Sequence, residues 1–157
     1  KLKMSSYHSN GKLLITGEYT VLDGALSLAL PAKFGQSLSI TENSSDKISW
    51  KALNNEGNIW FTANYNLNDI EIDAEPSIIE TDNEGAAKTL LTILKEAKKL
   101  NPHFLINSNG IEATTILEFP ENWGLGSSST LINNVASWAK INAFDLLLVL
   151  LNSSTAS

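Results

Sequence analysis

Phe119-Pro120-Glu121-Asn122-Trp123-Gly124-Leu125-Gly126-Ser127-Ser128-Ser129-Thr130 joins a strand-like run to an amphipathic helix through a small, hydroxyl-rich loop. Gly124 and Gly126 carry no side chain, so the backbone there can approach a ligand closely. The serines that follow open a helix whose first amides lack intrahelical partners, and those amides, with the positive end of the helix dipole, favour an anion. The segment points to phosphate. The same residues also fit a plainer reading, since serines are ordinary helix N-caps and a glycine pair can simply be a turn. Two familiar phosphate-loop templates do not fit. No lysine follows the glycines as a Walker loop requires, and the glycine spacing is not that of a dinucleotide-binding turn.

Downstream of the loop, a helix is predicted from about Ser127 to Asn142, burying Leu131, Ile132, Val135, Trp138 and Ala139. Upstream, Ile111 to Phe119 alternates with Ile111, Ala113, Leu117 and Phe119 on one face, and Phe104 to Ile106 is a short strand candidate. Asn83 to Leu100 is the clearest helix. Ala86, Ala87, Leu90, Leu91, Leu94 and Ala97 form its apolar stripe, lysines gather near its C-terminal end, and Asn101-Pro102 stops it. The first half reads as strands: Lys12 to Glu18, Ser27 to Leu30, Gln36 to Glu42, and a run around Ile48 and Trp50. Asn54-Asn55-Glu56-Gly57-Asn58 is a turn that pairs that last strand with Ile59 to Ala63 as a hairpin. Residues 64–82, rich in Asn, Asp and Glu and holding Pro76, read as a surface connection. Strands first, then a helix, a strand pair and another helix, indicate an α+β domain of two layers, with helices packed on one mainly antiparallel sheet.

Composition bounds the function. A chain of 157 residues with 43% hydrophobic content suits one domain with a substantial core. A net charge of −6 argues against nucleic acid as a partner, because such partners call for a basic footprint. A small phosphorylated ligand remains compatible, since a local nest of amides binds anions within an acidic protein. Without cysteine there is no disulfide framework, thiolate metal site or cysteine nucleophile. Leu146 to Leu151 is too short to span a bilayer and the N-terminal residues lack the apolar core of a secretory signal, so no membrane partner and a cytoplasmic location are expected. His8 and His103 read as surface or turn residues, with nothing around them forming a constellation.

A second segment sharpens the reading. Asn10-Gly11-Lys12-Leu13-Leu14-Ile15-Thr16-Gly17-Glu18-Tyr19 precedes an apolar run from Ala25 to Pro31, and together with Pro120, Gly124, Leu125, Gly126, Ser127 and Ser128 it resembles the first and second motifs of the GHMP kinases. That superfamily includes galactokinase, homoserine kinase, mevalonate kinase and phosphomevalonate kinase. Tyr19 leans the resemblance toward the phosphomevalonate kinase side, and Ser129 and Thr130 stand where the family often has alanines. The resemblance implies a fold like that of ribosomal protein S5 domain 2, and transfer of the ATP γ-phosphoryl group, with Mg2+, to an alcohol or phosphate on a small metabolite. It covers about residues 8 to 145, so residues 1–145 are expected to be the N-terminal, nucleotide-binding domain, with 146–157 an atypical tail that matches nothing in the family.

By the same resemblance, Lys12 is the catalytic cation that reaches phosphate and the accepting hydroxyl, its other reading being a solvated strand-edge lysine. The nucleotide site is formed by Trp123, Gly124, Leu125, Gly126, Ser127, Ser128, Ser129 and Glu18, with Glu18 otherwise a surface charge. Ser128 matches a serine that contacts magnesium, and its other reading is a helix cap. Trp123 either packs the loop or lines the nucleotide pocket. The family's catalytic Asp, acidic metal ligand and third glycine-rich motif have no counterpart, and Asp145, the only acid after the second helix, precedes an apolar run rather than that context. The expectation is a kinase domain that is truncated and weakly active or inactive as it stands, forming a homo-oligomer that buries the Leu146 to Leu151 tail. The rival expectation is a non-catalytic domain on the same scaffold, either a sensor of nucleotides or phosphometabolites or an oligomeric interaction module.

Overall fold

A computed structural model describes residues 2–14, 28–71 and 77–155. Within them six strands form one sheet: β1 (Met4–Leu14), β2 (Ala29–Glu42), β3 (Lys47–Leu53), β4 (Ile59–Asn66), β5 (Ile78–Thr81) and β6 (Ile111–Leu117). Three helices accompany it: α1 (Glu84–Leu100), α2 (Ser127–Ala139) and α3 (Ala143–Thr155). The spatial order is β1-β2-β6-β3-β4-β5. Every neighbouring pair is antiparallel except β3 with β6, so the sheet is mainly antiparallel with one parallel seam at its centre. The α+β class expected from the order of elements is the observed one.

Alternation builds the core. On β2, β3, β4 and β6 every second side chain is buried: Leu38 and Ile40, then Ile48, Trp50 and Ala52, then Phe61, Ala63 and Tyr65, and finally Ile111 and Ala113. Their neighbours in sequence form the opposite, more polar face. α1 supplies Ala87, Leu90, Leu91, Leu94 and Ala97 to the same core, spaced by three and four residues as a helix with one apolar stripe requires. Its start is fixed by Asn83, whose side chain accepts a hydrogen bond from the Ala86 amide. The Tyr65 hydroxyl donates to the Ala87 carbonyl at 2.8 Å, and burial pushes its pKa upward, so it stays a donor.

Several expectations are corrected. Ser27 to Leu30 and Gln36 to Glu42 were expected as two strands, but from Ala29 onward they belong to one strand, β2, whose outer arm pairs Lys12 with Pro31 and Leu13 with Leu30. The strand expected from Lys12 to Glu18 is instead the end of β1, and its part beyond Leu14 lies outside the described residues. Residues 64–82 are not solely a connection: β4 runs to Asn66, a 3-10 turn covers Leu67–Ile70 with Ile70 buried, and β5 adds an edge strand.

Phe104 to Ile106 is a turn rather than a strand, because Leu105 takes φ 65° and the buried Lys98 ammonium donates to the Phe104 carbonyl at 2.7 Å. The second helix stops at Ala139, where Lys140 adopts a left-handed φ of 56°, and does not reach Asn142. The stretch from Leu146, which matched nothing in sequence, is the body of α3. Its first amides are capped by Asn142, whose side chain accepts from Phe144 at 2.8 Å and Asp145 at 3.3 Å. Leu146 is fully buried, and Val149 and Leu150 pack against the core. No single helix among the described residues is long and apolar enough to cross a membrane.

Candidate functional site

The loop after β6 is shaped by its glycines. A 3-10 turn over Glu121–Trp123 ends at Gly124 with φ 67°, and Gly126 with φ 76° is the N-cap of α2. Left-handed backbone of this kind suits glycine and costs other residues energy. Because Gly126 has no side chain, it offers no cap to the helix it starts, and the first helical bond runs from the Thr130 amide to the Gly126 carbonyl at 3.0 Å. The amides of Ser127, Ser128 and Ser129 therefore have no partner among the described residues.

β1 is clamped to this loop. The Lys12 amide donates to the Leu125 carbonyl at 3.1 Å. A Cβ placed on Gly11 would lie 2.8 Å from the Leu125 carbonyl oxygen and 3.2 Å from that of Phe34, so glycine is what allows strand and loop to meet so closely. Glu118 fixes the loop's other end: its carboxylate accepts from the Gly35 amide at 2.7 Å and lies 3.0 Å from the His8 ring.

A polar network beneath the loop seats α2 on the sheet. The Ser9 hydroxyl donates to the Asn134 side-chain oxygen at 2.6 Å, and the Asn134 amide group donates to the Gln36 carbonyl at 2.9 Å. Asn133 donates to the Ser9 oxygen at 2.7 Å, and the Thr130 hydroxyl donates to the Ser127 carbonyl at 2.8 Å while lying 3.1 Å from the Gln36 side-chain oxygen. Asn134 is completely buried and every buried polar side-chain atom described has a partner.

Between these parts lies an open cleft of about 340 Å3. Lys12, Leu125, Gly126 and Ser129 line it, so the two motifs that are far apart in sequence share one site. Gly124, Ser127 and Ser128 belong to the same loop but are not in the cleft wall, and Glu18 lies outside the described residues. Trp123 is 55% exposed and meets Phe34 edge-to-face at 6.3 Å, outside the cleft. Asp145 is likewise not in the wall. Sequence reasoning did not place Ser9, Asn10, Thr130, Ile132, Asn133, Ala143, Phe144 and Leu147 in the site, and they complete the lining. The Asn133-Asn134 pair, set between Ile132 and Val135, was the one local signal for part of this set.

The donors present suit an anion: unpartnered amides at a helix start, a lysine and serine hydroxyls. They fit the phosphates of a nucleotide. For a cation the described residues offer less, since no group of three His, Cys, Asp or Glu side chains comes together among them. Ser128 could give one hydroxyl oxygen, and a hard cation of the Mg2+ kind would take its other ligands from water and phosphate.

No family model matches the sequence, and no curated protein matches it significantly. Solved structures do match in fold. The mevalonate kinase of Methanococcus jannaschii superimposes with a TM-score of 0.64 at 20% identity, over 88% of this chain and 40% of that one. A second mevalonate kinase gives a TM-score of 0.69 at 18% identity, over 98% of this chain and 48% of the other. The Lactococcus lactis galactokinase complexed with galactose gives 0.65 at 15% identity, over 94% and 36%. The chain thus spans less than half the length of these kinases. Motif resemblance and backbone agree, and the chain has the fold of the N-terminal portion of mevalonate kinase and galactokinase, both GHMP kinases.

Proposed function

We propose that the cleft at Gly126 binds the phosphates of ATP, and that the chain is the nucleotide-binding part of a small-molecule kinase of the GHMP type. The carrying observation is the uncapped start of α2, whose Ser127, Ser128 and Ser129 amides are free beside a cleft that Lys12 also lines. The amides hold the phosphate chain by hydrogen bonds, and the Lys12 ammonium neutralises charge on the transferring oxygens. The Ser128 hydroxyl is the proposed contact to Mg2+, which when bound with ATP would offset phosphate charge. An alcohol or phosphate on a small metabolite is the proposed acceptor, with the kinase-like scaffold and the motif resemblance as its support.

A second reading, nucleotide binding without turnover, is favoured by one observation: none of the residues lining the cleft is an Asp or Glu. A carboxylate there would be the ordinary means of taking the acceptor's proton. We therefore expect the 157-residue chain, given ATP and Mg2+ with mevalonate, phosphomevalonate, homoserine or galactose, to bind nucleotide yet transfer little phosphate. Calorimetric titration with ATP tests the binding. Lys12→Ala should weaken it about tenfold or more, as loss of a charge-assisted hydrogen bond does. Unchanged affinity in that variant would move the phosphates away from Lys12. Robust turnover by the chain alone would discard the second reading.

A further inference from the structure

At the far end of α2 lies a second cavity, unrelated to the cleft. α2 has 13 residues, which at 1.5 Å per residue separates its two ends by about 20 Å. This groove, about 420 Å3, runs between β1 and the turn at residues 102–107 and is bounded by Lys140 at the end of α2. Its volume falls in the usual range for small-molecule sites.

Aromatic rings form part of its wall. Tyr7 and Trp138 are half-buried there, and Phe104 is buried with its ring packed edge-on to Trp138 at 4.8 Å. Around them stand Lys3, His103 and Lys140, with Glu42 the single acid, already 3.4 Å from the Lys3 ammonium. In a chain of net charge −6, two lysines against one acid leave an excess positive charge here, that of Lys140. Three of the carbonyls that end α2 are engaged within the protein: Ala139 accepts from Asn101 at 2.7 Å, Ser137 from the Lys140 amide at 3.2 Å, and Ala136 from the Ile141 amide at 3.0 Å, so the Lys140 ammonium is left to offset the negative end of the helix. Among the polar side chains that line the groove, the Ser5 and Tyr7 hydroxyls, the His103 ring, the Asn107 amide, the Ser108 hydroxyl and the Lys140 ammonium have no partner among the described residues.

We propose that this groove is a second ligand site, which takes an anionic small molecule built on a planar ring. The ring stacks on the aromatic wall, and the anion meets Lys140 with the Tyr7 and Ser5 hydroxyls. Because α2 carries Gly126 at one end and Lys140 at the other, one helix serves both sites.

Titrating naphthalenesulfonate into the full chain, followed by amide and indole NMR signals, tests this. The expected result is saturable shifts at Ser5, Tyr7, Trp138 and Lys140, with none at Gly126 to Ser129. Tyr7→Phe, which keeps the ring and removes the hydroxyl, should weaken binding. Lys140→Gly should weaken it about three- to fivefold, as loss of an exposed ion pair does. That variant also relieves a left-handed backbone position, so Tm should rise by about 2 to 4 °C, and lost affinity could not be put down to misfolding. Equal binding of naphthyltrimethylammonium, unchanged affinity in Lys140→Gly, shifts centred on Gly126, or no shift at millimolar concentration would each overturn the proposal.

Discussion

Asn134→Leu is expected to destabilise the protein by about 3 kcal/mol, because it removes two buried side-chain hydrogen bonds at once. The Ser9 hydroxyl loses its acceptor and the Gln36 carbonyl loses its side-chain donor. Each buried group that loses its partner carries a cost of about 1 to 3 kcal/mol, with the Ser9 hydroxyl still accepting from Asn133, and the apolar area gained by leucine offsets only part of the sum. For a chain of this size Tm should fall by about 6 to 12 °C. Adding Ser9→Ala to that variant removes one orphan and should restore about 1 kcal/mol, a non-additivity that a double-mutant cycle reads directly. Asn133→Leu, at an exposed position on the same helix, should cost much less because water replaces its bond to Ser9. Equal losses in the two single variants would show that the buried network does not hold α2.

That network also explains what was legible in the sequence. The loop could be read because its chemistry is local: Gly124 and Gly126 sit at positive φ, and the helix begins where the serines begin. α1 could be read because Asn83 and the apolar stripe are within one segment, and the Asn54 to Asn58 hairpin because its turn residues are contiguous.

What failed depends on partners outside the segment being read. Pro31 and Gly35 look like strand breakers, yet both lie within β2, where Pro31 pairs with Lys12 and the Gly35 amide is held by Glu118. Phe104 to Ile106 has strand-like residues, but Lys98 holds the Phe104 carbonyl in a turn. The run from Leu146 carried a readable start signal in Asn142, and its lack of a polar stripe hid the helix; Leu146 is buried, whereas Phe144, Leu148 and Leu151 are exposed. Most of the cleft lining was invisible for the same reason. Ser9, Asn133 and Phe144 meet only once β1, α2 and α3 are packed.

The largest expected effect on ligand binding belongs to Gly126→Val. The native φ of 76° and ψ of 53° are open to glycine, whereas a β-branched residue resists them, at a cost of about 1 to 2 kcal/mol or more. A Cβ at that position would lie 3.6 Å from the Ser129 side chain, an ordinary contact, so the protein itself leaves room for it. The side chain would instead occupy the cleft that Gly126 lines and hinder access to the Ser127 to Ser129 amides. Wild-type protein with ATP and Mg2+ at one hundred times Kd should gain about 2.7 kcal/mol, or about 5 to 11 °C in Tm, and Gly126→Val should lose all of that gain. Gly57→Ala separates strain from occlusion: Gly57 has φ 82° in the β3–β4 turn with nothing within 4 Å of an added Cβ. It should lower the baseline Tm by a similar mechanism and keep the full ATP-dependent shift. If Gly126→Val retained the shift as well, the phosphates would have to lie elsewhere than at the start of α2.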